Sequence, residues 1–195
     1  MNNYRLYFGL ALGVTSVALL CASAASIPIT SGTAAQSTTL GTFDAGLALD
    51  TQANFTHTLG SDANATWQVL LTAHHSFGEI TIGNRSSCCG SRLRDITVQI
   101  VDFSGNVGSD FSSGAIIFSS ELLNPENVLG GGTDGPATIT VNAEGATGNM
   151  IRIKRTPDPD LSGSGGVGNS DEANVLSIDK VSAETPTGIS TFTAV

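Results

Sequence analysis

Apolar and polar residues alternate with period two in seven stretches of the chain: WQVLL (67–71), EITIGN (79–84), DITVQIVD (95–102), GAIIFSS (114–120), ATITVNA (137–143), NMIRIKR (149–155) and NVLSIDKVSA (174–183). That period sends successive side chains to opposite faces of a sheet, so each stretch predicts a half-buried strand. Runs with helical apolar spacing are scarce, and Gly, Asn, Asp and Pro separate the strands. The prediction is an all-β fold, an antiparallel β-sandwich. Three turn-rich segments, 102–113, 124–136 and 156–174, predict long loops at its ends, where binding sites usually lie. Trp67 and the inward residues of the strands are expected in the core.

The first 25 residues break this pattern. Arg5 precedes an apolar run from Leu6 to Leu20, and Ala22-Ser23-Ala24 offers a small-residue cleavage site, which reads as a secretory signal peptide. Two other readings of this segment are a membrane span, diluted by Gly9, Gly13, Thr15 and Ser16, and a lipid-bearing Cys21, for which Leu20 is a bulky neighbour. One domain is expected over 26–184, with 185–195 as an edge strand or a tail. The protein is expected to be extracellular or on the cell surface, or periplasmic if retained.

Charge narrows the partners. The net charge of −9 becomes −10 when Arg5 leaves with the signal, a poor balance for nucleic acid. No Ser-His-Asp order, metal pair or paired-carboxylate spacing marks an enzyme. Nothing encodes a coiled coil, although an oligomer would serve a weak binding site through multivalency.

Cysteine is the remaining chemistry. Without Cys21, Cys88 and Cys89 are the only two, side by side in NRSSCCGSRL (84–93), in a compartment that favours oxidation. Neighbouring Cα atoms lie about 3.8 Å apart, below the roughly 4.4–6.8 Å of common disulfides, so the pair cannot staple distant segments. A reactive dithiol, two metal ligands, an intermolecular bridge and a vicinal disulfide all remain. The only imidazoles, His57, His74 and His75, show no metal-ligand spacing, and the C-x-x-C of redox proteins is missing.

The segment ITIGNRSSCCGSRLRDITVQI (80–100) resembles the signature of the F-type lectins, or fucolectins, a strand followed by N-R-x-D-C-C-x-x-R-L and a second strand. GTAAQSTTLGTFDAGLALDTQANFTHT (32–58) is similar to the family's opening, TWQVLL (66–71) to its W-W-Q-V-D-L, and 149–155 and 174–183 to its closing strands. The wider likeness is to discoidin-like, galactose-binding-domain-like (F5/8 type C) jelly rolls. The resemblance implies a sugar-binding set of His57, Arg85 and Arg92, with Cys88 and Cys89 as a vicinal disulfide under the apolar face of fucose. Guanidinium forks suit paired hydroxyls, and a neutral imidazole donates one hydrogen bond and accepts another.

Two positions depart from the pattern. Ser87 stands where the family has an aspartate that braces the arginines, so an anionic sugar becomes an alternative to neutral fucosides. The structural Ca²⁺ of the family implies Asp50, but Gln52 replaces an asparagine and Lys180 a glutamate; either Asp179 takes over as a Ca²⁺ ligand through a one-residue shift, or the Lys180 ammonium stands in place of the ion, facing Asp50. The function expected is therefore a lectin-like module for fucosylated or acidic glycans, with a structural or adhesive protein that has lost sugar binding as the alternative. Each site residue also has a plainer use: His57 in local backbone bonding, Arg85 and Arg92 as solvated charges, His74 and His75 as loop residues.

Overall fold

In a computed structural model, residues 20–49, 54–86, 88–131, 135–159 and 173–190 are described. They form eight strands: β1 (Leu20–Ala22), β2 (Thr33–Gln36), β3 (Thr66–Gly83), β4 (Ile96–Asp102), β5 (Ala115–Ser119), β6 (Thr138–Arg155), β7 (Lys180–Ala183) and β8 (Gly188–Ser190). The all-β expectation holds, with only short 3-10 turns as helical elements among the described residues.

Six strands make one antiparallel sheet in the order β2-β3-β6-β4-β5, with β7 also paired to β3. Two predicted pairs of strands merge, because β3 runs through both WQVLL and EITIGN and β6 through both ATITVNA and NMIRIKR. Register shifts between Leu70 and His75 and between Phe77 and Glu79 break the β3–β6 ladder, and such bulges bend strands. The first half of β3 is flanked by β2 and the C-terminal half of β6; its second half is flanked by β7 and the N-terminal half of β6. Both halves feed one core: Trp67 and Val69 from the first, Ile80 and Ile82 from the second, with Ile151 and Ile153 from β6. Trp67 satisfies its buried indole N–H on the Ala45 carbonyl at 2.9 Å.

The strand predicted over 174–183 shrinks to β7. Ahead of it, Thr hydroxyls intrude into the pairing: Leu176 N–H donates to Thr58 Oγ1 at 2.9 Å and Ile178 N–H to Thr56 Oγ1 at 3.2 Å. Side-chain acceptors replace ladder carbonyls there, so Val175–Ile178 stay irregular although buried. That tie fixes the 54–59 loop, which carries His57.

Ala24–Pro186 is one compact unit. In a second unit β1 and β8 pair antiparallel, with Cys21 opposite Ile189, so part of the tail is a strand. Residues 1–19 of the expected signal lie outside the described residues. No helix among the described residues is long and apolar enough to cross a membrane.

Candidate functional site

The chain leaves β3 at Gly83 and enters the cysteine loop through a clamp. Asn84 N–H donates to the Ala137 carbonyl at 2.9 Å, and its Nδ2 to the carbonyls of Gly90 and Pro136, both at 2.8 Å. Gly135 closes the clamp from the other side, since a Cβ built on it would collide with the Gly90 carbonyl. One buried asparagine and one bare backbone therefore tie 84–90 to 135–137.

Within the loop, Cys89 adopts a left-handed conformation (φ 62, ψ 33), which turns the chain into the 3-10 segment Gly90–Arg92. Leu93, fully buried, anchors the far side in the core. The turn leaves Cys88 exposed and Cys89 half-buried, with both sulfurs as thiols. Burial pushes the Cys89 thiol up, a hydrogen bond with Cys88 adds to this, and Arg92 pulls it down.

Four predicted residues meet in two pairs. Arg92 Nη1 lies 3.0 Å from His57 Nε2, and His57 Nδ1 lies 2.6 Å from the Thr58 carbonyl. A carbonyl only accepts, so Nδ1 carries the proton and Nε2 receives the bond from Arg92. His57 is held neutral in one tautomer, 3% exposed, against an arginine 7% exposed. The second pair is Arg85 and Cys88: Nη2 reaches Sγ at 3.3 Å, while Cζ lies 3.8 Å above the Phe55 ring. Phe55 in turn stacks on Phe43 at 4.7 Å and 9°. An aromatic column thus aims Arg85, and a histidine aims Arg92.

Asn84 Oδ1 and Arg85 Nε are buried without a hydrogen-bond partner in the structure. Such orphans are uncommon in native interiors and call for an explanation. Both lie at the mouth of the cysteine loop.

Behind the loop sits a buried ionic network. Asp95 Oδ2 accepts from Arg94 Nε at 2.6 Å and from Arg155 Nη1 at 2.9 Å, and Arg94 Nη2 also pairs with Asp158. Burial pulls Arg155 down to about 10, against the upward pull of Asp95. Asp95 Oδ1 accepts from Glu126 N–H at 2.9 Å, so the same carboxylate holds the 124–131 loop.

Other predicted residues lie elsewhere. Ser87, Asp50 and Gln52 fall outside the described residues. Asp179 is half-buried beside the loop entrance, its N–H on the Gly83 carbonyl at 2.9 Å. Burial raises its carboxyl, and the neighbouring Lys180 partly offsets that. The 3-10 turn Ala45–Leu49, which leads to Asp50, packs against β7. Among the described residues no group of three or more His, Cys, Asp or Glu is arranged for a metal ion. His74 contacts Asp102 at the surface and His75 meets the edge of Phe77; both lie within β3, next to its first register shift, and not in the loop expected for them. Sequence reading missed Asn84, Phe43, Phe55 and the Asp95 network. Asn84 and Phe55 sit one and two residues from predicted ligands, the only signal they give.

No protein-family model matches the chain, and no curated protein matches its sequence. Solved structures match its backbone. A mutant of the lectin domain of lectinolysin, complexed with Lewis b, superposes with a TM-score of 0.60 at 18% identity, covering 84% of this chain and 99% of that one. A fucolectin from striped bass (Morone saxatilis) serum gives 0.57 at 20% identity, over 83% of this chain and 49% of that one. The fold is that of the F-type lectins. The same galactose-binding-like fold extends to the family 32 carbohydrate-binding module of Clostridium perfringens NanJ, in complex with galactose, with a TM-score of 0.57 at 18% identity over 83% and 99% of the two chains. These neighbours are carbohydrate-binding modules, and identities this low carry the F-type lectin fold alone.

Proposed function

We propose that the chain is a secreted carbohydrate-binding module, not an enzyme, that holds a fucose-like sugar at the His57, Arg85, Cys88, Cys89 and Arg92 cluster. The observation that carries this reading is the aiming of two arginines around one cysteine pair, Arg85 by the Phe55 ring and Arg92 by His57. Guanidinium N–H groups donate to sugar hydroxyls, and the secretory signal directs the chain to an oxidising compartment. There Cys88 and Cys89 each lose a proton and an electron to an oxidant such as a disulfide, forming the vicinal S–S bond. That bond offers a soft, polarisable surface to the C–H face of the ring. With Ser87 in place of the bracing aspartate, an acidic sugar is the second ligand class.

The reading includes no structural Ca²⁺. The charged form of Asp179 is disfavoured by burial, and Lys180 beside it repels a dication. A rise in melting temperature with Ca²⁺ relative to EDTA overturns this part alone.

Retention on fucose-agarose with elution by free fucose tests the main proposal. Arg85→Ala and Arg92→Ala are each expected to abolish retention while the fold survives. A glycan array in which acidic sugars bind and neutral fucosides do not assigns the second class. The burial of His57 and Arg92 against each other favours one other reading, a structural or adhesive protein without sugar binding; no retention on any glycan selects it.

A further inference from the structure

In the segment following Leu123 the usual distribution of residues is inverted. Asn124 and Asn127 are 4% exposed, while Val128 and Leu129 are 71% and 60% exposed. Buried polar and exposed apolar side chains are the informative exceptions to ordinary burial. Here they occur within six residues.

The inversion is built, not slack. Asn124, Glu126 and Asn127 hold left-handed backbone at φ 48, 52 and 56, which for a residue such as Glu126 costs on the order of 1 kcal/mol. Asn124 Nδ2 donates to the Leu93 carbonyl at 2.7 Å and to Asn127 Oδ1 at 3.0 Å, and its Oδ1 accepts from Leu129 N–H at 2.9 Å. Asp95 takes the Glu126 N–H. The Asn124 and Asn127 side chains face inward, and the two aliphatic ones are left outside.

The loop is also continuous with the cysteine site. Leu93, whose carbonyl Asn124 holds, follows Arg92 directly. At the loop's end a Cβ on Gly131 would meet the Gly135 backbone, and one on Gly135 would meet Gly90, next to Cys89. Two adjacent aliphatic side chains match one pyranose in size and fall far short of the roughly 800 Å² per partner of a stable protein interface.

The geometry points to Val128 and Leu129 as a second subsite, an apolar lip that takes the C–H face of the saccharide unit next to the one at Cys88 and Cys89. This rests on the sugar-binding reading and makes the ligand an oligosaccharide, not a single sugar. The hydroxyls of that second unit face solvent, so the lip favours extended glycans through contact area and not through hydrogen bonds.

Calorimetry with methyl α-L-fucoside and with 2′-fucosyllactose, on wild type and on the double variant Val128→Ser/Leu129→Ser, tests it. Wild type is expected to bind the trisaccharide about tenfold more tightly, a difference of about 1.4 kcal/mol. The variant keeps its fucoside affinity and loses that gain. No gain on extension in wild type, or a gain kept by the variant, overturns the subsite while leaving the primary site intact. Binding of neither sugar by wild type removes the primary reading and the subsite together.

Discussion

Replacing Asp95 by Asn removes one negative charge and almost no volume, and asparagine tolerates the left-handed backbone that Asp95 adopts at φ 47. What is lost is the counter-charge to two guanidinium groups, those of Arg94 and Arg155, whose side chains are fully buried. Arg155 already carries a burial cost: burial pulls it down to about 10, with Asp95 as the main opposing pull. Removing one partner of a buried pair costs roughly 3–5 kcal/mol, because the other charge stays behind. Asp158 still faces Arg94, which places the expected loss at the lower end, about 3 kcal/mol. Against a typical stability of about 5–15 kcal/mol, that lowers the urea midpoint clearly without abolishing folding. The assay is equilibrium urea unfolding of wild type, Asp95→Asn, Arg155→Met and the double variant. The double variant is expected to recover part of the loss, since an apolar side chain replaces the stranded cation. A loss below about 1 kcal/mol in Asp95→Asn, or no coupling between the two sites, refutes the claim that this carboxylate holds the network together.

Asp179→Asn is expected to stabilise the protein at pH 7. The folded carboxyl sits above its ordinary 3.8, so its charged form is penalised at neutral pH, and the gain from Asn fades as pH falls toward 3.8; thermal melts from pH 7 to 4 check the sign. Phe55→Leu removes the face under Arg85, and a loss of about 1 kcal/mol in stability with weaker retention on fucose-agarose is expected. Gly135→Ala puts a methyl into the Gly90 carbonyl and forces the clamp apart, costing about 1–3 kcal/mol in a melt and lowering sugar affinity in calorimetry, whereas an unchanged affinity separates the clamp from the site.

Strand positions were legible because alternation survives any tertiary context: TITV and IRIKR both lie in β6, where the pattern places them. That they belong to one strand was not legible, since the bulges between them are set by cross-strand partners. The failure at 174–179 has the same origin, because the acceptors displacing a ladder there are Thr56 and Thr58, more than a hundred residues earlier. In the site, the contiguous stretch from Arg85 to Arg92 carried its own signal. The bond between His57 and Arg92 spans 35 residues, and only the family likeness pointed to that histidine. Asn84, Phe55 and Gly135 act through backbone carbonyls, a ring face and a missing Cβ, none of which leaves a periodic trace in sequence.

The ladder between β3 and β6 ends at the pair Gly83 and Thr138, so everything from Asn84 to Ala137 is an excursion that this pair closes. Closing a loop of that length costs on the order of 3.5 kcal/mol of chain entropy, and the β4–β5 hairpin inside it is completed only when β4 also pairs with β6. The cysteine loop, both arginines and the Val128–Leu129 tip are therefore acquired late in folding. In refolding, retention on fucose-agarose is expected to return last, after strand signals have recovered. Under the proposed function, a bound glycan is expected to slow hydrogen exchange at the Gly83–Thr138 end of the ladder.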